Sequence, residues 1–170
     1  MSSSRVLIRA ADPSDAAELV ALAEAVGSEP EGWLISDSRW RSVGEERRYL
    51  RAVRKHPDAA VFVAELDGRV AGRLSVARDP HPASRHVADL GLMVAAEARR
   101  LGLGFALLGE AATWARREGV RKLELHVFPH NEPAIRLYER FGFVREGYRK
   151  AHYRRGREFV DAILMAYEVV

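Results

Sequence analysis

Apolar positions along the chain keep two rhythms, every second residue and every third or fourth, and each change of rhythm marks an element. Val6, Leu7 and Ile8 make a short first strand within residues 5–10. Asp12-Pro13 then supplies an N-cap and a proline at the first helical position, with Asp15 and Glu18 in the opening turns. Leu19, Leu22, Ala23 and Val26 share one helical face, and Gly27 ends that helix. Residues 28–41, with Pro30, Gly32, Trp33 and Trp40, keep neither rhythm. They are expected to cover the core or to wall a substrate site. Ser42-x-x-Glu45 is a capping box for a second helix carrying Leu50 and Val53.

Residues 61–66 and 69–78 read as strands joined by Asp67-Gly68, a strong hairpin signal. Asp79-Pro80-His81-Pro82 breaks the pattern, and residues 86–94 form the next strand. Its apolar end stops at a polar turn, after which Gly102-Leu103-Gly104 opens an alanine- and leucine-rich helix that Gly119 stops. Leu101, Phe105, Leu108, Ala112 and Ala115 mark one face of that helix, and Leu107, Ala111 and Trp114 a second, so little free surface is expected. Residues 122–128 alternate cleanly, with Glu124, His126 and Phe128 on one face. Asn131 caps a last helix that Gly142 ends, and residues 143–153 and 158–169 form a final hairpin about Arg155-Gly156. The order is β α α β β β α β α β β. It predicts an α/β (α+β) chain with one mixed, mostly antiparallel sheet of about six or seven strands, flanked by about four helices.

Composition narrows the chemistry. The 170 residues suit a single domain over 1–170, 48% hydrophobic and 30% charged. There is no cysteine, which excludes disulfides, zinc–thiolate sites and cysteine nucleophiles. No apolar run is long enough to cross a membrane, so a cytoplasmic protein is expected. Six histidines without ligand spacing predict no metal. The net charge is +3, yet residues 145–158 alone hold six Arg or Lys against two Glu, leaving −1 for the remainder. Nucleic-acid binding would call for a wider basic surface.

A helix opened by glycines leaves unpaired backbone N–H groups where the dipole favours an anion, so the loop at 99–105 is a candidate phosphate cradle. Gly102-Leu103-Gly104 lacks the Walker Lys-Ser/Thr, and Leu107 stands where a dinucleotide fold needs its third glycine. What remains is Arg99-x-x-Gly102-x-Gly104, followed by Asn131-x-x-Ala134-x-x-Leu137-Tyr138 and, further on, Gly142-Phe143. In this combination and order the chain resembles the GNAT family of N-acetyltransferases, over nearly its whole length and most strongly over residues 88–147.

The resemblance implies the acyl-CoA N-acyltransferase fold and acetyl-CoA as co-substrate. It places the pyrophosphate on the amides of Arg99, Arg100, Leu101, Gly102, Leu103, Gly104 and Phe105, where glycine at 102 and 104 would let it approach. The pantetheine arm would lie along Leu92, Met93 and Val94 as an added strand. One of those amides would polarise the thioester carbonyl. Tyr138 matches the tyrosine proposed to protonate the leaving thiolate, and Asn131 is a helix cap as well as a cofactor contact. Relatives often place a glutamate base five residues before the asparagine, where this chain has His126. Histidine titrates near neutrality and can do that work; Asp89, Glu124 and solvent stay open as alternatives.

The expected function is therefore transfer of acetyl from acetyl-CoA to a primary amine of a small molecule or a protein N-terminus, by direct attack. The alternative is a non-catalytic acyl-CoA sensor or partner-binding domain. The acceptor is expected to meet residues 28–45, the loop at 79–86 and the final hairpin, where Arg149, Arg154 and Arg155 hint at an acidic acceptor. Exposed edges on the terminal strands would suit a homodimer.

Overall fold

The computed structural model describes residues 3–35 and 40–170, so part of the irregular stretch expected at 28–41 lies outside the described residues. The elements are β1 (Val6–Ala10), α1 (Ala16–Gly27), α2 (Val43–Arg54), β2 (Ala59–Leu66), β3 (Arg69–Arg78), β4 (Val87–Val94), α3 (Leu103–Glu118), β5 (Lys122–Val127), α4 (Glu132–Phe141), β6 (Val144–Arg155) and β7 (Glu158–Glu168).

Local chemistry sets most of the boundaries. A capping box joins Asp12 and Asp15 just before α1, and a second joins Ser42 and Glu45 at α2. Asp67 and Gly68 both take positive φ, 51° and 83°, as a tight two-residue hairpin requires.

The strands form one sheet in the order β1-β2-β3-β4-β5-β7-β6. Every neighbouring pair is antiparallel except β4 and β5. Those two pair at only three positions, Val87–Lys122, Ala88–Leu123 and Asp89–Glu124, and then part. Beyond Asp89, β4 therefore runs on with a free side, and the sheet opens into a V. Gly72 packs on Leu107 of α3, whereas its neighbour Arg73 meets Glu46 of α2, so the two helix layers lie on opposite faces. Following the register from Arg73 puts Met93, Asp89, Glu124 and His126 on the α1/α2 face.

The core runs through both layers, with Leu19, Leu50, Leu74, Leu107, Leu123 and Met165 almost fully enclosed. Each such side chain contributes about 1.5–3 kcal/mol on burial. The first turn of α3 departs from the expected double-sided packing. Leu101, in the loop just before α3, is 52% exposed and Phe105 42%, whereas Leu103 and Leu107 of the same helix are buried. Phe105 instead meets the edge of Phe141, at 5.1 Å between ring centres.

Candidate active site

The glycine loop opens its backbone to the cleft. Arg100 takes φ 65° and Gly102 φ 85°, and the amides of Arg100, Leu101, Gly102, Leu103, Gly104 and Phe105 have no acceptor among the described residues. Successive free amides at a helix start form a concavity for an anion. The two glycines differ in role. A Cβ on Gly102 would meet nothing within 4 Å, so its space is open to a ligand. A Cβ on Gly104 would lie 2.7 Å from Leu137 Cδ2 and 3.6 Å from Leu92 Cδ2, so glycine here lets α4, α3 and β4 converge. The Arg99 guanidinium is committed elsewhere, to both carboxylate oxygens of Glu29 at 2.5 and 2.7 Å and to Val94 O at 3.1 Å.

A backbone ledge continues from the loop. Ala95 N donates to Ala71 O and Asp79 N to Val87 O, so odd-numbered residues of β4 turn their N–H and C=O toward β3. Met93 is one of these, and its side chain is buried. Leu92 turns both backbone groups into the V, and Val94 turns its N–H there while its carbonyl holds Arg99. An extended amide-bearing ligand can pair with such an edge as an added strand.

α4 closes the other wall. Asn131 Oδ1 accepts from Ala134 N at 3.3 Å as the N-cap. Tyr138 is 6% exposed and tilts against Phe143, and its hydroxyl makes no hydrogen bond among the described residues. Burial pushes the phenol above its usual range, so it holds its proton through neutral pH.

Half-buried His126 projects from β5 and shares a 2.5 Å hydrogen bond, through Nδ1, with the Tyr153 hydroxyl. Desolvation holds its pKa below the ordinary 6.5, helped by Arg149 and His152. At the floor of the V, Asp89 is open to solvent yet walled by protein on most sides. That desolvation, with Glu124 opposite, pushes its carboxyl up to about 6. Among the described residues Arg149 forms no ion pair, although its charge reaches both His126 and Tyr153.

Part of the irregular stretch forms a side wall. Trp33 donates to Glu29 at 2.8 Å and stacks on His130, whose Nε2 donates to Glu31 O and Gly32 O. Arg155 donates to Gly32 O at 2.7 Å and lies over Phe128. Trp40 instead packs against the core. The loop at 79–86 does not join this wall. Arg78 and Arg85 tie it to Asp58 at the end of β4 opposite the glycine loop. Tyr153 and Glu29 escaped the sequence reading. Tyr153 lay in a strand with no evident face, and Glu29 carries no local signal.

An amide cradle, a free strand edge leading from it and a buried, protonated phenol on α4 are the features of an acyl-CoA-dependent acyltransferase. The residues fit acetyl-CoA: the open amides and the empty space at Gly102 suit its pyrophosphate, and the ledge suits its pantetheine amides. The chain belongs to the acetyltransferase (GNAT) family, whose model matches residues 27–143, and is an N-acetyltransferase. The L-amino acid N-acetyltransferase AaaT of Escherichia coli is 38% identical over 114 residues, covering 65% of this chain and 68% of its own. An N-alpha-acetyltransferase of Sulfurisphaera tokodaii is 34% identical over 124 residues, covering 66% and 71% respectively. A solved GNAT acetyltransferase from Streptococcus pneumoniae superposes with a TM-score of 0.88 at 32% identity, over 98% of this chain and all of that one.

Proposed function

We propose that the acceptor is an amine carrying a nearby anionic group, of the α-amino acid kind, and that the acetyl donor is acetyl-CoA. The observation that carries this reading is Arg149, which forms no ion pair among the described residues, whose charge reaches His126 and Tyr153, and which the register places on the same sheet face as Asp89 and Glu124. The carboxylates attract the acceptor's ammonium and Arg149 its anion, so the two ends of the acceptor are held by opposite charges. The name of the Escherichia coli relative, an L-amino acid N-acetyltransferase, supports the same class.

Acetyl-CoA supplies the activated acyl group. The amides of residues 100–105 hold its pyrophosphate, and Leu92 and Val94 align its arm. His126 takes the proton that the ammonium must lose before attack. For this its free nitrogen is Nε2, so Nδ1 carries the hydrogen that the Tyr153 hydroxyl accepts. Tyr138 holds a proton at its hydroxyl for the departing thiolate. These roles leave the non-catalytic sensor without an observation in its favour. A cytoplasmic location suits a consumer of acetyl-CoA, and the exposed β6 edge suits a homodimer.

The test compares amino acids with their amides and with the corresponding decarboxylated amines. The acid should be preferred by about tenfold or more, as one charge-assisted contact provides, and Arg149→Ala should erase the preference. Equal use of all three by the unaltered enzyme would overturn the reading.

A further inference from the structure

β6 does not run evenly beside β7. Arg149 stands opposite Ala162 and Tyr153 opposite Val160, so Lys150, Ala151 and His152 share the space facing one residue, Asp161. Two extra residues are thus folded into the strand as a bulge. Ala151 takes φ 49°, a left-handed conformation that residues with a Cβ rarely adopt. Asp161 holds it there. One carboxylate oxygen accepts from Ala151 N at 2.7 Å, and the other accepts from the Tyr148 hydroxyl at 2.5 Å. Those bonds keep the Asp161 carboxyl below the usual range, hence ionised and a strong acceptor.

The bulge has a geometric effect at the site. Without it, Tyr153 would stand opposite Glu158, two residues and about 6–7 Å further along β7. From there its hydroxyl could not reach His126 Nδ1, which it meets at 2.5 Å. The same excursion brings the His152 ring to 5.7 Å from that of His126 and 4.8 Å from that of Tyr153.

We propose that Asp161 is a positioning residue for the transfer reaction, holding the Ala151 bulge that delivers Tyr153 to His126. It touches neither cofactor nor acceptor and acts only through that bulge. The inference rests on the reading of His126 as the proton acceptor. Arg149, His152 and Tyr153 face that histidine from β6, Glu124 shares its face of β5, and Asp89 lies across on β4.

The experiment uses the full chain with acetyl-CoA and the preferred amine, and follows the His126 imidazole protons by NMR as pH is varied. Asp161→Ala should lower kcat by about tenfold or more, as loss of alignment does, with KM for acetyl-CoA unchanged. The His126 titration should move up toward the ordinary value as Tyr153 and His152 withdraw. Asp161→Asn keeps an oxygen for the Ala151 amide and should retain most of the activity. Ala151→Gly placed in Asp161→Ala removes the cost of the left-handed residue and should restore part of both readouts. An unmoved His126 titration in Asp161→Ala overturns the proposal. If Asp161→Ala does not fold, a titration unaltered in Asp161→Asn and a kcat lowered about tenfold or more there overturn it instead. His126→Gln tests the underlying reading separately: full turnover there would remove His126 as the base, while the titration would still report whether Asp161 places Tyr153.

Discussion

Arg99 and Glu29, 70 residues apart in the chain, are joined by two parallel hydrogen bonds of 2.5 and 2.7 Å. Arg99 opens the loop of unpaired amides, and Glu29 belongs to a segment fixed by hydrogen bonds from Trp33, His130 and Arg155. The pair therefore ties that segment to the glycine loop. Glu29→Gln should raise KM for acetyl-CoA severalfold with a small change in kcat, because the loop loses its anchor rather than its amides. A partly exposed bidentate pair of this kind is worth about 1–2 kcal/mol. Arg99 holds the Glu29 carboxyl below its ordinary value, so this contribution stands above pH 4.5 and is lost as pH falls through the lowered value. Steady-state kinetics and thermal unfolding at pH 7 and pH 4 check both statements.

Gly102 and Gly104 should fail differently. Gly102→Ala forces a Cβ onto a residue at φ 85°, costing about 1–2 kcal/mol, and puts a methyl group into the cradle. Acetyl-CoA affinity should fall by about tenfold or more, measured by calorimetry. Gly104→Ala drives its Cβ into Leu137, an overpacking of about 1–3 kcal/mol that shows first in stability. Pairing it with Leu137→Ala should recover part of that loss, which the same partner would not do for Gly102→Ala.

Tyr138→Phe isolates one hydroxyl. That group has no hydrogen-bond partner among the described residues, so its removal should leave stability within about 1 kcal/mol. If it protonates the departing thiolate, kcat should fall by about 100-fold or more while KM for acetyl-CoA holds. A kcat within twofold of the parent would leave that proton to solvent.

These contrasts show what the sequence could carry. The capping boxes, the Asp67-Gly68 turn and the Asn131 cap depend on residues within a few positions of each other, so their chemistry is visible in the order of residues. The cradle was legible for the same reason, since a glycine loop before a helix frees its own amides. Tyr153 was not legible, because its approach to His126 depends on a register shift between two strands. An acid set between Val160 and Ala162 in an apolar strand was the available sign of that irregularity. Glu29 gave none, as its partner comes from another layer of the fold. Phe105 sat on the helical stripe but faces out, because helical periodicity cannot tell where the sheet beneath the helix ends.

The pH dependence of kcat/KM should report His126. Its pKa is held below 6.5, first by desolvation and then by Arg149 and His152, so the acid limb should have its midpoint below 6.5. Arg149→Ala removes a positive neighbour, the neutral imidazole loses part of its advantage, and the limb should move to higher pH. If the limb instead stays near 6 in His126→Gln, Asp89, whose carboxyl sits at about 6, is the group it reports.

A buried ion pair behind β4 keeps the ledge in place. Glu46 is fully buried, bonded to Arg41 at 2.9 Å and to Arg73 at 3.4 Å, with both guanidinium groups against the Trp40 and Tyr49 rings. Arg73 stands opposite Met93 in the sheet, directly behind the strand that forms the ledge. Glu46→Gln preserves shape but leaves the Arg73 charge buried without its counter-charge, and breaking such a pair costs about 3–5 kcal/mol. The urea midpoint should fall accordingly with its slope unchanged. Arg41 is 42% exposed at its side chain, so Arg41→Ala should cost only about 1 kcal/mol. Replacing both buried partners, Glu46→Leu with Arg73→Met, removes the stranded charge and should recover most of the stability lost in Glu46→Gln. KM for acetyl-CoA in that double variant should match the parent, because Met93 gives its backbone to β3 and only Leu92 and Val94 turn backbone groups to the open side of β4. A raised KM in a stably folded double variant would show that the ion pair shapes the ledge itself.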